Sequence, residues 1–242
     1  MKFGHKSKIP CNFMAATAHV IAKISWKPFC GNFEQVRLGV IFLRIFVHGK
    51  QPTTVSIVGR VKGYGRIFFK LRGILDKEWV FIDGSYIRAH QHASGARRGE
   101  DRAIGRSRGG ATTKIHLAVD AHGHPIDFEI TGGEVHDSQV ASDLIELVGE
   151  ADYLIADKGY YSEHIREVAR NHRMTPIIPR KSNSKKPNID FDHYLYRLRH
   201  LVENAFARLK HFRGIATRFE KLARNYKSML FLACLFIWCK AK

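Results

Sequence analysis

The chain has 242 residues, enough for one sizeable core and a smaller second unit. Lys and Arg number 40 against 22 Asp and Glu, a formal charge of +18 that calls for a polyanionic partner, nucleic acid or an acidic membrane, and disfavours small neutral substrates. A hydrophobic fraction of 45% excludes wholesale disorder.

The longest apolar run, Met229 to Cys239, has eleven residues, against the ~20 that a membrane-spanning helix needs. It reads as a buried terminal helix. The first ten residues (MKFGHKSKIP) hold no apolar signal core, so a cytoplasmic protein with no membrane partner is expected. Cys11, Cys30, Cys234 and Cys239 form no C-x-x-C pair, so reduced thiols are expected rather than a zinc site or disulfide framework.

Charge divides the chain. Before Asp76 the only acid is Glu34, against thirteen Lys and Arg; from Asp76 onward there are 21 acids and 27 bases. Two units are therefore expected: a weakly organised basic segment over 1–75 and a folded domain over 76–242. Residues 33–47 fit a helix or a strand, and the glycine-broken stretch 48–64 fits neither period.

The second part reads more clearly. Trp79–Ile82 is an apolar strand ending at Asp83. Residues 93–111, rich in Gly and Arg, read as a mobile loop. Thr112–Asp120 and Pro125–Thr131 flank a turn at 121–124 and form a hairpin. A helix over 139–148 follows, with Asp137 or Ser138 as its cap. Asp152–Asp157 is a second apolar strand ending in an acid, and Ser162 caps the helix after it. Thr175–Pro179 is a short strand, 181–188 a basic linker, about 193–212 a long helix stopped near Gly214, and about 219–239 a closing helix. This alternation predicts an α/β domain with a mixed sheet flanked by helices. Both acid-terminated strands are apolar throughout, as central strands are.

The long helix carries an ordered face. Advancing about 100° per residue with Tyr196 at zero puts Arg199 at about −60°, Glu203 at about −20° and Lys210 at about −40°. Alone, Glu203 four positions after Arg199 is an ordinary ion-pair face, and Asp83 or Asp157 an ordinary strand-end residue. Together, acids from two central strands and a helix make an oxygen-rich site suited to Mg²⁺ or Mn²⁺. Two such ions clamp the attacking and leaving oxygens of a phosphoryl transfer. His136, Asp137 and Ser138 fit a helix cap better than a place at that site.

Tyr196-x2-Arg199-x3-Glu203-x6-Lys210 matches the signature Y-x(2)-R-x(3)-E-x(6)-K, and so resembles DDE transposases of the IS4/IS5 superfamily. The blocks around Ile82–Asp83–Gly84–Ser85, Ala89–His92, Ile104–Gly110, Thr112–His116 and Asp157–Tyr160 resemble those of the IS5 family of bacterial insertion sequences. The resemblance spans about 66–239. It implies an RNase H-like fold in which Asp83, Asp157 and Glu203 are the catalytic triad and bind two divalent ions, Mg²⁺ or Mn²⁺. The implied activity is a DNA transposase that cleaves transposon ends and transfers strands to target DNA. It also implies action as a homo-oligomer on DNA, in the bacterial cytoplasm and nucleoid. Tyr196, Arg199 and Lys210 are the implied supporting residues, holding DNA phosphate or orienting Glu203. Two rivals stay open: a DNA-binding relic impaired in catalysis or end binding, and an RNase H-like nuclease without strand transfer.

Arg97, Arg98, Arg102, Arg106 and Arg108 in the glycine-rich stretch are candidates to track a DNA backbone. Ala111 follows Gly110 where a phosphate loop needs Lys, so no nucleotide cofactor is expected. Residues 1 to about 65 lack the helical, Trp- and Arg-bearing segment usual in the family; translation out of the ancestral frame is the expected reason.

Overall fold

The computed structural model describes residues 77–94, 101–180, 184, 187–188 and 191–240. The basic segment 1–75, with its expected weak organisation and change of frame, lies outside them, as do Arg97 and Arg98.

Among the described residues seven strands form one mixed sheet built around β1 (Trp79–Ala89). On one side β1 pairs antiparallel with β3 (Gly110–Val119), which also pairs with β2 (Gly105–Ser107) and β4 (Pro125–Gly132). On the other side it runs parallel to β5 (Tyr153–Ala156), and β5 parallel to β6 (Thr175–Ile177). The two-residue β7 (Thr217–Arg218) pairs with the far end of β1. The helices are α1 (Asp137–Val148), α2 (Glu163–Asn171), α3 (His193–Arg197), α4 (His200–Lys210), α5 (Arg213–Ala216) and α6 (Ala223–Lys240). This is the RNase H-like mixed sheet, helix-flanked, that the sequence implied.

Side chains alternate along a strand, so β1 has two distinct faces. Val80 and Ile82 point one way, into a core with Ala141, Leu144 and Ile145 of α1 and Ile165 and Ala169 of α2. Gly84 continues that face. Asp83 and Ser85 point the other way, toward α4. That helix buries Val202, Ala205, Phe206 and Leu209, an i, i+3, i+4, i+7 stripe. α6 packs beside it, its Phe231 ring 4.6 Å from Phe128 and its Trp238 Nε1 donating to Pro125 O at 2.8 Å. No helix among the described residues is long and apolar enough to cross a membrane.

Three expectations are corrected. The first strand does not end at Asp83 but continues to Ala89, because Gly84 to Arg88 pair with Thr112 to His116 of β3. Residues 105–112 are not a plain loop: Gly105, Arg106 and Ser107 pair with Thr112, Ala111 and Gly110, and Gly110 takes the turn at φ 90°. The helix expected over 193–212 is two helices. Leu198 N–H and Arg199 N–H donate to Leu195 O and Tyr196 O, three residues back, so the chain tightens there and α4 restarts at His200.

Candidate active site

Strand pairing brings the two aspartates together. Ile82 faces Ala156 across the parallel β1–β5 pair, so the next residues, Asp83 and Asp157, emerge side by side on the α4 face. Each carboxylate is held by a glycine N–H. Gly84 N donates to Asp83 Oδ1 at 2.8 Å, and Gly159 N donates to Asp157 Oδ1, where Asp157 caps the short turn Lys158–Tyr160.

Glu203 comes from the first turn of α4. Arg199 connects it to the sheet: Nη1 donates to Asp83 Oδ2 at 2.8 Å and Nη2 to Glu203 Oε1 at 2.5 Å. Lys210 Nζ donates to Ser85 Oγ at 2.7 Å, two residues beyond Asp83. The Tyr196 ring packs on Phe191, centroids 5.1 Å apart. The structure thus brings Arg199, Glu203 and Lys210 to the strip of β1 that carries Asp83.

Charge is concentrated here. Burial pushes the Asp83 carboxyl above its ordinary range, with Asp157 and Asp137 adding to the rise; the Gly84 N–H and Arg199 only partly offset it. Burial alone lowers the Arg199 guanidinium, but Asp83 and Glu203 outweigh that and raise it. Tyr160, buried behind the site, has its hydroxyl pushed well up by burial and then by Asp137, Asp83 and Asp157.

No three of His, Cys, Asp and Glu among the described residues already stand close enough to enclose an ion. The Arg199 guanidinium contacts both Asp83 and Glu203. It is a cation bridging two carboxylates, with a third beside the first. Hard oxygen donors around a positive group fit a divalent ion in both charge and chemistry.

Asp137 turns out to do more than the sequence suggested. His136, not Asp137 or Ser138, is the N-cap of α1, its Nδ1 accepting from Ser138 N at 3.3 Å. Asp137 instead turns into the sheet, its Oδ2 2.7 Å from Lys114 Nζ and its Oδ1 3.4 Å from His116 Nδ1. A signal was present: Lys114 and His116 are two residues apart on a buried strand, so two polar groups share one covered face and require a partner.

Of the basic candidates, Arg102, Arg106 and Arg108 are described, and Arg106 pairs with Ala111 at the end of β3 far from Asp83. Arg106 and Arg108 are exposed around the β2–β3 turn. The carbonyls of Arg102 and Ala103 are held by Arg218, which is fully buried and donates to them at 2.6 and 3.1 Å. Arg218 and its stacking on Tyr226, 5.0 Å from the ring centroid, were not foreseen from the sequence.

Comparison with known proteins places this domain in a family. The chain belongs to the transposase DDE domain family, whose model matches residues 75–238. It is 37% identical over 131 residues to a putative transposase for insertion sequence element IS6501 of Brucella ovis, covering 53% of this chain and 99% of that protein. It is 29% identical over 136 residues to a putative transposase for IS402 of Burkholderia cepacia, covering 52% of this chain and 62% of that protein. A chain of the simian T-cell lymphotropic virus intasome in complex with a PP2A regulatory subunit matches at 13% identity over 79% of this chain and 60% of that one, with a TM-score of 0.32, too low to support any inference.

Proposed function

We propose that this chain is a DNA transposase that cleaves transposon ends and joins them to target DNA, with Asp83, Asp157 and Glu203 as its metal-binding catalytic triad. The observation that supports this reading is the Arg199 bridge from Asp83 to Glu203, with Asp83 and Asp157 following the paired strand residues Ile82 and Ala156. Two divalent ions, Mg²⁺ or Mn²⁺, would be held there, supplying charge neutralisation and activation of the attacking oxygen.

The chain itself supplies position. Asp83 lies on β1, Asp157 directly follows β5, and Glu203 on α4 reaches Asp83 through Arg199. Arg199 presents a planar fork suited to a phosphate once it leaves its carboxylates. Lys210, exposed at the end of α4, is placed to meet the DNA backbone beside Ser85. Tyr196 supports the same face. Arg97, Arg98, Arg102, Arg106 and Arg108 would track DNA further out, adding affinity without sequence preference. The partners are transposon-end and target DNA, met as a homo-oligomer in the bacterial cytoplasm. Residues 1–75 form a separate basic segment preceding the catalytic domain over 76–242.

The test is an assay with a labelled transposon end and a target plasmid. Metal-dependent nicks and joined products are expected, both lost in Asp83→Asn, Asp157→Asn and Glu203→Gln while DNA binding persists. Binding without nicking by the unaltered chain would identify a DNA-binding relic. Nicking without joined products would identify a nuclease.

A further inference from the structure

The sheet has a second polar cluster, on the face opposite the triad. Lys114 and His116 of β3 are 3% and 0% exposed, and both meet Asp137 at the start of α1. Capping α1 does not require this, because His136 already caps the helix. Burying a lysine is costly unless it is paired, and replacing a buried pair by apolar groups is often neutral or stabilising. The cluster is also imperfectly bonded: Asp137 Oδ1 and His116 Nδ1 lie 3.4 Å apart, beyond good hydrogen-bond geometry, and the Tyr160 hydroxyl is buried.

What Asp137 touches gives the pairing a structural role. A Cβ on Gly84 would collide with Asp137 Oδ1 and come within 2.9 Å of Lys114 Cε. A Cβ on Gly159 would lie 3.7 Å from Asp137 Oδ2. Gly84 and Gly159 are the residues whose N–H groups hold Asp83 and Asp157. One carboxylate therefore packs tightly against Gly84 from behind and lies near, without touching, Gly159.

We propose that Asp137 is a positioning residue of the active centre: paired with Lys114 and His116, it braces Gly84 and so sets the position of Asp83 on the other side of the sheet. The inference rests on the metal-binding reading given above. It gives the Lys114–Asp137–His116 cluster the task of holding ligand-bearing backbone to the sub-ångström tolerance that such sites need.

The test is Mn²⁺ binding to the DNA-free full-length chain, followed by the electron paramagnetic resonance signal of free Mn²⁺, alongside thermal unfolding. Asp137→Asn should raise the Mn²⁺ dissociation constant by ~10–100-fold, the usual cost of losing a residue that orients metal ligands, in protein that still folds. Should that variant fail to fold because Lys114 is left unpaired, Lys114→Met/Asp137→Asn removes both charges, and the same weakening is expected. A folded variant that binds Mn²⁺ like the unaltered chain would overturn the proposal and leave the triad reading intact. Unfolding of both variants would assign Asp137 to the core and overturn it as well. Failure of the unaltered chain to bind Mn²⁺ would sink the parent reading with it.

Discussion

Arg199 Nη1 lies 2.8 Å from Asp83 Oδ2, across 116 positions of sequence, and the same guanidinium reaches Glu203 Oε1 at 2.5 Å. The bridge makes Arg199 a competitor for any cation that uses these two acids. Arg199→Met should therefore tighten Mn²⁺ binding to the DNA-free protein several-fold, in keeping with ~1 kcal/mol for a partly exposed ion pair. Titration of Mn²⁺ into both proteins checks this. Weaker binding by the variant would show instead that Arg199 holds the carboxylates in place.

Gly84 leaves no room for a side chain. Gly84→Ala should destabilise the domain by about 1–3 kcal/mol, the usual cost of forcing a methyl into packed space. The clash is with Asp137 and Lys114, so Gly84→Ala should cost less in an Asp137→Ala background than in the unaltered chain. Urea unfolding of the single and double variants measures both effects. An unchanged midpoint for Gly84→Ala would mean that α1 parts from the sheet without cost.

The Asp137 cluster also predicts a pH dependence. Burial pushes the Asp137 carboxyl up, but the neighbouring His116 and Lys114 outweigh it and hold the carboxyl below its ordinary value. A depressed acid contributes stability that is present above the unfolded-state value and lost as pH falls through the folded one. The stability lead of the unaltered chain over Asp137→Asn should shrink as pH drops below about 4. Unfolding midpoints across an acid series report the lead directly, and a lead that stays constant counts against the pairing.

The arginines of the β2–β3 turn and the stretch before it are expected to act on DNA through phosphate alone. Neutralising Arg97, Arg98, Arg102, Arg106 and Arg108 together should flatten the log–log salt dependence of DNA binding by up to ~0.9 per lost contact, equally for any sequence. Because Arg218 anchors this segment through the carbonyls of Arg102 and Ala103, Arg218→Met should disturb the same contacts indirectly. An unchanged slope in the five-fold variant would mean that this region does not meet the DNA.

Local pattern was enough to identify most of the elements and to place the three candidate acids on or beside them. The apolar runs before Asp83 and Asp157 mark strands covered on both faces, and the spacing from Tyr196 to Lys210 marks one helical face, because burial and helical periodicity leave a residue-by-residue trace. The same trace misjudged extents. The strand through Asp83 runs on to Ala89 only because β3 lies beside it, and the helix breaks at Leu198 and Arg199, where no Pro or Gly announces it. Contacts between distant residues left still less sign. Lys114 and His116 are polar groups two residues apart on a strand, but their partner Asp137 lies 23 and 21 positions away on another element, where it reads as a helix cap. Arg218 reaches 116 positions back to the Arg102 carbonyl. Such pairings depend on which strand lies beside which and which face a helix covers; they follow from the packed sheet, not from any window of sequence.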